Sequence, residues 1–153
     1  MKDVDFVFIG PMHPGVSAHI QVLSRLENVH FLGFRRYETI PQYLHFFTAA
    51  IIPFQKNELT SAVNPVKLYE YSAAGIPTVA TNFSEDVSQL RDKIFVSDSR
   101  EGFITSLQSA IKKSKDPSFA AQLQTFAREH DWETKTSLIL QFIHQHLAAQ
   151  HAS

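Results

Sequence analysis

Five short apolar runs, each separated from the next by a stretch with helical patterning, constrain this chain more than any other feature. The runs lie at residues 4–10, 29–34, 49–54, 76–81 and 93–97. They are rich in Val, Ile and Phe and largely lack polar alternation, as strands covered on both faces do. Helical stretches are expected at 15–26, 39–47, 65–74 and 84–90. The alternation predicts an α/β fold, a Rossmann-like doubly wound parallel sheet of about five strands with a helical C-terminus. Beyond residue 98 the pattern is wholly helical. Phe103, Leu107 and Ile111 stand at i, i+4, i+8 within 99–114, which is amphipathic spacing. Asp116-Pro117 starts a second helix that runs to about Glu129, and Trp132 marks a break. Leu138, Ile139, Phe142, Ile143 and Leu147 stripe a last helix, and the tail 144–153 is expected to fray. Thr39 followed by Gln42, and Asp98 followed by Glu101, have capping-box spacing.

The 153 residues fit one average domain, and no repeat, low-complexity tract or linker divides them. One domain over 1–153 is the simplest account. The 44% hydrophobic content suffices for a core, and the 13 phenylalanines are most simply part of it. A net charge of −1 from 14 basic and 15 acidic residues gives no electrostatic case for nucleic acid or a membrane surface. The absence of cysteine excludes a disulfide framework and cysteine metal sites, and it favours an intracellular protein. No apolar run approaches the roughly 20 residues that span a bilayer. The start, Met1-Lys2-Asp3-Val4-Asp5, runs straight into an apolar strand and is not a signal peptide.

The chemistry concentrates in residues 64–80. Asn64 is expected to cap a short helix, with Pro65 at its first position, where a missing N–H costs nothing. Gly75 stands where a helix ends in a left-handed residue, and Pro77 prevents continuation. Lys67 and Glu70 project from one face at i, i+3, which also fits a solvated ion pair. A free helix N-terminus attracts phosphate, and a carboxylate beside it accepts hydrogen bonds from vicinal hydroxyls, as acidic residues do for ribose. Thr60, Ser61 and Asn64 make a polar turn after the third strand, at the carboxyl edge where open α/β sheets bind ligands. Ordinary turn chemistry also accounts for them. Gly10-Pro11 and Phe34-Arg35-Arg36-Tyr37 follow the first two strands. Arg35 or Arg36 suits a phosphate or a stacked base, and equally a solvated loop.

Other patterns carry little. Asp3-Val4-Asp5 spells D-x-D but precedes a strand where a metal motif should follow one. The histidines lack ligand spacing, and His144 and His146 do not share a helix face. Gly10 and Gly15 do not form a dinucleotide fingerprint, and Asn82-Phe83-Ser84 is a sequon by letter only.

Residues 67–80, Lys-Leu-Tyr-Glu-Tyr-Ser-Ala-Ala-Gly-Ile-Pro-Thr-Val-Ala, resemble the donor-site signature of family 4 (group 1) glycosyltransferases of the GT-B fold. With Asn64-Pro65 they look like the subgroup pattern N-P-x-K-L-Y-E-Y-x-A-x-G-x-P-V-V of bacterial cell-surface polysaccharide enzymes. The resemblance implies that Glu70 holds the ribose of a nucleoside diphosphate sugar. It places Asn64, Pro65, Val66 and Lys67 at the diphosphate, Thr60 and Ser61 toward the sugar, and Gly10 and Arg35 around base, ribose and phosphate. Where the family repeats glutamate after seven residues, Ala62 stands in place of the first. Residues 4–11 match the family's f-x-i-x-G strand, the second of its donor domain.

The chain therefore resembles the donor-binding half alone. It would lack the acceptor-binding N-terminal domain, the first donor-domain strand with its phosphate loop, and any catalytic acid or base. Met1 directly before a core strand is expected of a shortened chain rather than a natural start. The remaining strands are expected to close up in the order 2-1-3-4-5, or to leave a gap for another chain. The parent would transfer sugar from a nucleoside diphosphate sugar to a polysaccharide or lipid-linked acceptor, with no cofactor or metal. It would sit in the cytoplasm, with any peripheral membrane contact through the absent half. Two other readings stand beside this one: a non-catalytic protein-interaction module of the same fold, and half of a nucleotide-sugar epimerase. A receiver-like domain is disfavoured, because the strands end in Gly10, Phe34, Phe54 and Thr81 rather than in acidic residues.

Overall fold

All five apolar runs become strands, and every strand pairing is parallel. The structure, a computed structural model, describes residues 1–12 and 14–151. The chain divides into two units, Met1–Tyr43 and Leu44–Ser153.

In the first unit β1 (Phe6–Ile9) pairs with β2 (Val29–Gly33) through α1 (Ser17–Leu23). A parallel pair needs such a crossover, because a tight turn reverses direction. Phe8 lies opposite Phe31 in the register, and their rings stack with centroids 5.0 Å apart. The Asn28 amide fixes the approach to β1, donating to the Val4 carbonyl at 2.7 Å and the Met1 carbonyl at 3.0 Å. Asp5 pairs with His30 at 3.0 Å, so one carboxylate of the D-x-D spelling serves the sheet. α2 (Ile40–Leu44) closes this part of the chain.

The second unit holds β3 (Ala50–Ile52), α3 (Glu58–Ser61), α4 (Val66–Ala73), β4 (Thr78–Thr81), α5 (Glu85–Gln89) and β5 (Phe95–Ser97). Three helices follow: α6 (Arg100–Lys113), α7 (Pro117–Glu129) and α8 (Trp132–His151). The strand order is β3-β4-β5, with Ala50 opposite Thr78 and Thr81 opposite Ser97. Ile52, Leu68, Ala80, Phe83, Val87 and Ile94 form the core, each at most 4% exposed. Every such large side chain removed from water stabilises the fold by about 1.5–3 kcal/mol.

Helix ends follow their capping chemistry. Ser84 accepts from the Val87 N–H, Ser99 from the Gly102 N–H, and Asp116 from the N–H groups of Ser118 and Phe119. α4 ends as expected. Gly75 adopts φ +72°, its N–H donates to the Ser72 carbonyl, and the Ile76 N–H donates to the Tyr71 carbonyl, both at 2.9 Å. These are the paired bonds of a left-handed helix stop.

Several expectations are corrected. The strands fall into two sheets of two and three rather than one of five. β1 and β3 each spend one edge on their partner, and the described residues hold no sixth strand for the other edge. Neither expected capping box forms. Ser99, not Asp98, caps α6, and Thr39 lies in a short 3-10 turn where its hydroxyl donates to the Arg36 carbonyl. The break does fall at Trp132, which is the first residue of α8, and the Asp131 carboxylate before it accepts from the Thr134 N–H at 2.7 Å. α8 stays helical to His151 rather than fraying from 144, and residues 152–153 of that tail lie outside the described residues.

Candidate functional site

The loop between β3 and α4 reaches the carboxyl edge of the three-stranded sheet, and its first part is an unforeseen single helical turn, α3. Asn57 and Thr60 build that turn reciprocally. The Thr60 N–H donates to Asn57 Oδ1 at 2.9 Å, and the Asn57 N–H donates to Thr60 Oγ1 at 3.0 Å. The Thr60 hydroxyl also donates to the Gln55 carbonyl, and the Ser61 hydroxyl to the Glu58 carbonyl at 2.7 Å. Both hydroxyls assigned to the sugar side thus hold the loop in shape. The spacing Asn57-x-x-Thr60 was the available signal, but it carries threonine where the usual box carries Glu or Gln.

Asn64 is exposed and does not cap α4. The N-cap residue is Pro65, extended at φ −79° and ψ 118°, and no side chain bonds to the helix end. Proline is therefore one position earlier than expected. Its fixed φ suits either place, but the extended ψ at this turn moves the first helical residue to Val66. The Pro65 carbonyl accepts from the Leu68 N–H at 3.0 Å. This leaves the N–H groups of Val66 and Lys67 with no side-chain cap, at the positive end of an eight-residue helix. Val66 is 69% exposed and Lys67 is also exposed, whereas Pro65 is buried and anchors the turn.

The rest of α4 is set by burial. Leu68 and Ser72, one turn apart, are fully buried, so Glu70, two residues from each, falls on the opposite face of α4, where it is half-buried. The next residue, Tyr71, packs on the core. Burial, and then the neighbouring Glu70 carboxylate, pushes the Tyr71 hydroxyl above its ordinary value. Ala62 ends α3 at its C-cap.

Other polar groups share this carboxyl edge. Asp98 follows β5 and accepts from Asn82 at 2.6 Å and from Arg91 at 2.9 Å. The Asn82 bond first, and then Arg91, hold its carboxyl below the usual range, with Lys56 adding a smaller attraction. Asn82 thus serves a loop lock. Among the described residues no group of three or more His, Cys, Asp or Glu is placed to hold a metal ion.

In the first unit Gly10 ends β1 at φ +149° and its N–H donates to the Gly33 carbonyl at 3.0 Å. Arg35 follows β2; its Nε donates to the Tyr43 hydroxyl at 2.8 Å and its Nη1 to the Phe34 carbonyl at 2.9 Å.

The uncapped start of α4 lies at the carboxyl edge of a parallel α/β sheet, the general position at which open α/β folds accept ligands. The sequence model described as "Glycosyl transferases group 1" matches residues 1–113, and the chain belongs to that family. It is 28% identical over 145 residues to the putative teichuronic acid biosynthesis glycosyltransferase TuaH of Bacillus subtilis (strain 168), an alignment covering 92% of this chain and 36% of that protein. The crystal structure of Anabaena Alr3699/HepE in complex with UDP superposes with a TM-score of 0.60 at 20% identity, covering 95% of this chain and 41% of that one. This likeness gives the Rossmann-like architecture of the GT-B glycosyltransferases. The chain spans little more than a third of TuaH and about two fifths of HepE.

Proposed function

We propose that this chain is the donor-binding part of a glycosyltransferase that moves a sugar from a nucleoside diphosphate sugar to a polysaccharide or lipid-linked acceptor. One observation carries the reading: α4 starts without a side-chain cap and presents Glu70 one turn later, at the carboxyl edge of the sheet. The Val66 and Lys67 N–H groups and the Lys67 ammonium receive the diphosphate. Glu70 accepts from the ribose hydroxyls. Pro65 sets the direction in which the helix opens, and Asn64 supplies an exposed amide at its mouth. Thr60 shapes the sugar-side loop, and Ser61 keeps lone pairs there for a sugar hydroxyl.

Helix N–H groups and lysine stabilise a leaving diphosphate electrostatically, so the reading requires no metal or other cofactor. The nucleotide sugar is a cytosolic compound class, which places the reading in the cytoplasm, with the acceptor and any membrane contact belonging to a further domain. By itself the chain binds nucleotide and does not transfer sugar. Family membership lends no weight to the interaction-module or epimerase alternatives. The test is an NMR titration with UDP or GDP at millimolar concentration. Amides of residues 60–70 shift, and Glu70→Ala abolishes the shifts. Unmoved amides with every nucleoside diphosphate sink the assignment.

A further inference from the structure

Tyr69, the residue before Glu70, belongs to an aromatic stack that no part of the proposed site uses. Its ring lies parallel to Phe126 with centroids 5.7 Å apart and to His130 with centroids 5.5 Å apart. Phe126 and His130 meet each other at 4.4 Å. The Lys135 ammonium stands 5.5 Å from the Tyr69 centroid, in cation–π range. The members come from three elements. Tyr69 is on α4, Phe126 is in α7, His130 is the α7 C-cap, and Lys135 is in the first turns of α8. His130 is held in place by its Nδ1 against the Phe126 carbonyl at 2.9 Å.

The geometry points to Tyr69 as a positioning residue that couples the nucleotide site on α4 to the α7–α8 joint. This rests on the proposed role of Glu70. A helix is stiff over two adjacent residues, so any rotation of α4 that brings Glu70 onto a ribose carries the Tyr69 ring across Phe126 and His130. Leu68 and Ser72 hold the face opposite Glu70 in the core, and Tyr69 lies between the two faces, against Phe126 of α7. At the other end, the α8 side chains from 132 to 147 are exposed except Thr134, so the joint has few competing anchors. Those it has are local: Thr134 donates to Asp131 and to the Arg128 carbonyl. The Lys135–Tyr69 contact links α8 to the site helix. Coupling of this kind is reciprocal, so the set of the joint also tunes nucleotide affinity.

Trp132, the single tryptophan, is 85% exposed at the first position of α8 and reports on the joint. The experiment follows its indole N–H resonance and the amides of residues 60–70 together during UDP titration of the full chain. Both sets shift in the wild type. In Tyr69→Ala the 60–70 amides still shift, with binding weakened roughly two- to tenfold as loss of an aromatic contact implies, while the indole no longer responds. Tyr69→Phe, which keeps the ring, behaves as wild type. Lys135→Met, at an exposed position that folding does not depend on, attenuates the indole response, and it carries the test if Tyr69→Ala fails to fold. An indole that ignores UDP while the 60–70 amides move overturns the coupling and leaves the nucleotide site standing. So does an indole response that survives in Lys135→Met at full amplitude. Silence of the 60–70 amides overturns both.

Discussion

Polar side chains in the second unit include both paired and unpaired groups. Asp98 is of the first kind. Its folded carboxyl is lowered by the bond from Asn82 and then by Arg91. A lowered folded value contributes stability that is present above the unfolded value and lost as pH falls through the folded one. The carbon-detected titration midpoint of Asp98 is therefore expected below 3.8, rising toward it in Asn82→Ala; a wild-type midpoint at or above 3.8 contradicts the lock. Ser72 shows the opposite case. Its hydroxyl is fully buried and has no hydrogen-bond partner. Removing an unsatisfied hydroxyl recovers its desolvation cost, so Ser72→Ala is expected to raise stability by about 1 kcal/mol in urea unfolding. A drop in the urea midpoint would show that the hydroxyl is satisfied after all. At this scale the sequence was readable only in part. Gly75 was legible because a glycine followed two residues later by proline marks a helix stop locally. The Tyr69–His130–Lys135 stack was not, since its members are separated by some 60 residues and meet only through the packing of α4 on α7.

The elements owe their ends to a few short polar residues. Gly75 is the sharpest example, because two constraints coincide there. Its φ of +72° is left-handed, and a Cβ would meet the Ala120 Cβ at 3.2 Å and Gln124 Nε2 at 3.3 Å on α7. Gly75→Ala is expected to destabilise by at least the roughly 1–2 kcal/mol of a left-handed non-glycine residue, read as a lowered unfolding midpoint. Ser99→Ala removes the cap on α6 and is expected to cost about 1 kcal/mol in the same assay. Strands and helices were legible here because apolar runs and 3.6-residue stripes are local signals. Their ends were less so. Asn64 and Pro65 read as cap and first residue, yet the chain delays the helix by one position because Pro65 takes an extended ψ. The α3 turn was missed because Asn57 and Thr60 hydrogen-bond each other without the acidic residue that usually signals a box.

At the scale of the molecule, the core is concentrated in the second unit around Phe83, which is fully buried and rests against Phe54 at 5.0 Å. Phe83→Ala is expected to cost about 3–5 kcal/mol in chemical denaturation. The parallel α/β class could be read from strand–helix alternation, but its division into sheets of two and three could not, because strand pairing is a long-range property that apolar runs leave open. The family likewise came from one segment, residues 64–80, while its match extends over 1–113. What the whole account turns on is whether Glu70 grips a ribose. Isothermal titration of UDP and its 2′,3′-dideoxy analogue, each against wild type and Glu70→Gln, measures that contact directly. Hydrogen bonds to a charged group contribute about 1.5–3 kcal/mol, so the wild type should bind UDP at least tenfold more tightly than the dideoxy analogue. In Glu70→Gln that preference should largely disappear. Equal affinity for the two nucleotides in the wild type, or an undiminished preference in Glu70→Gln, would contradict the account.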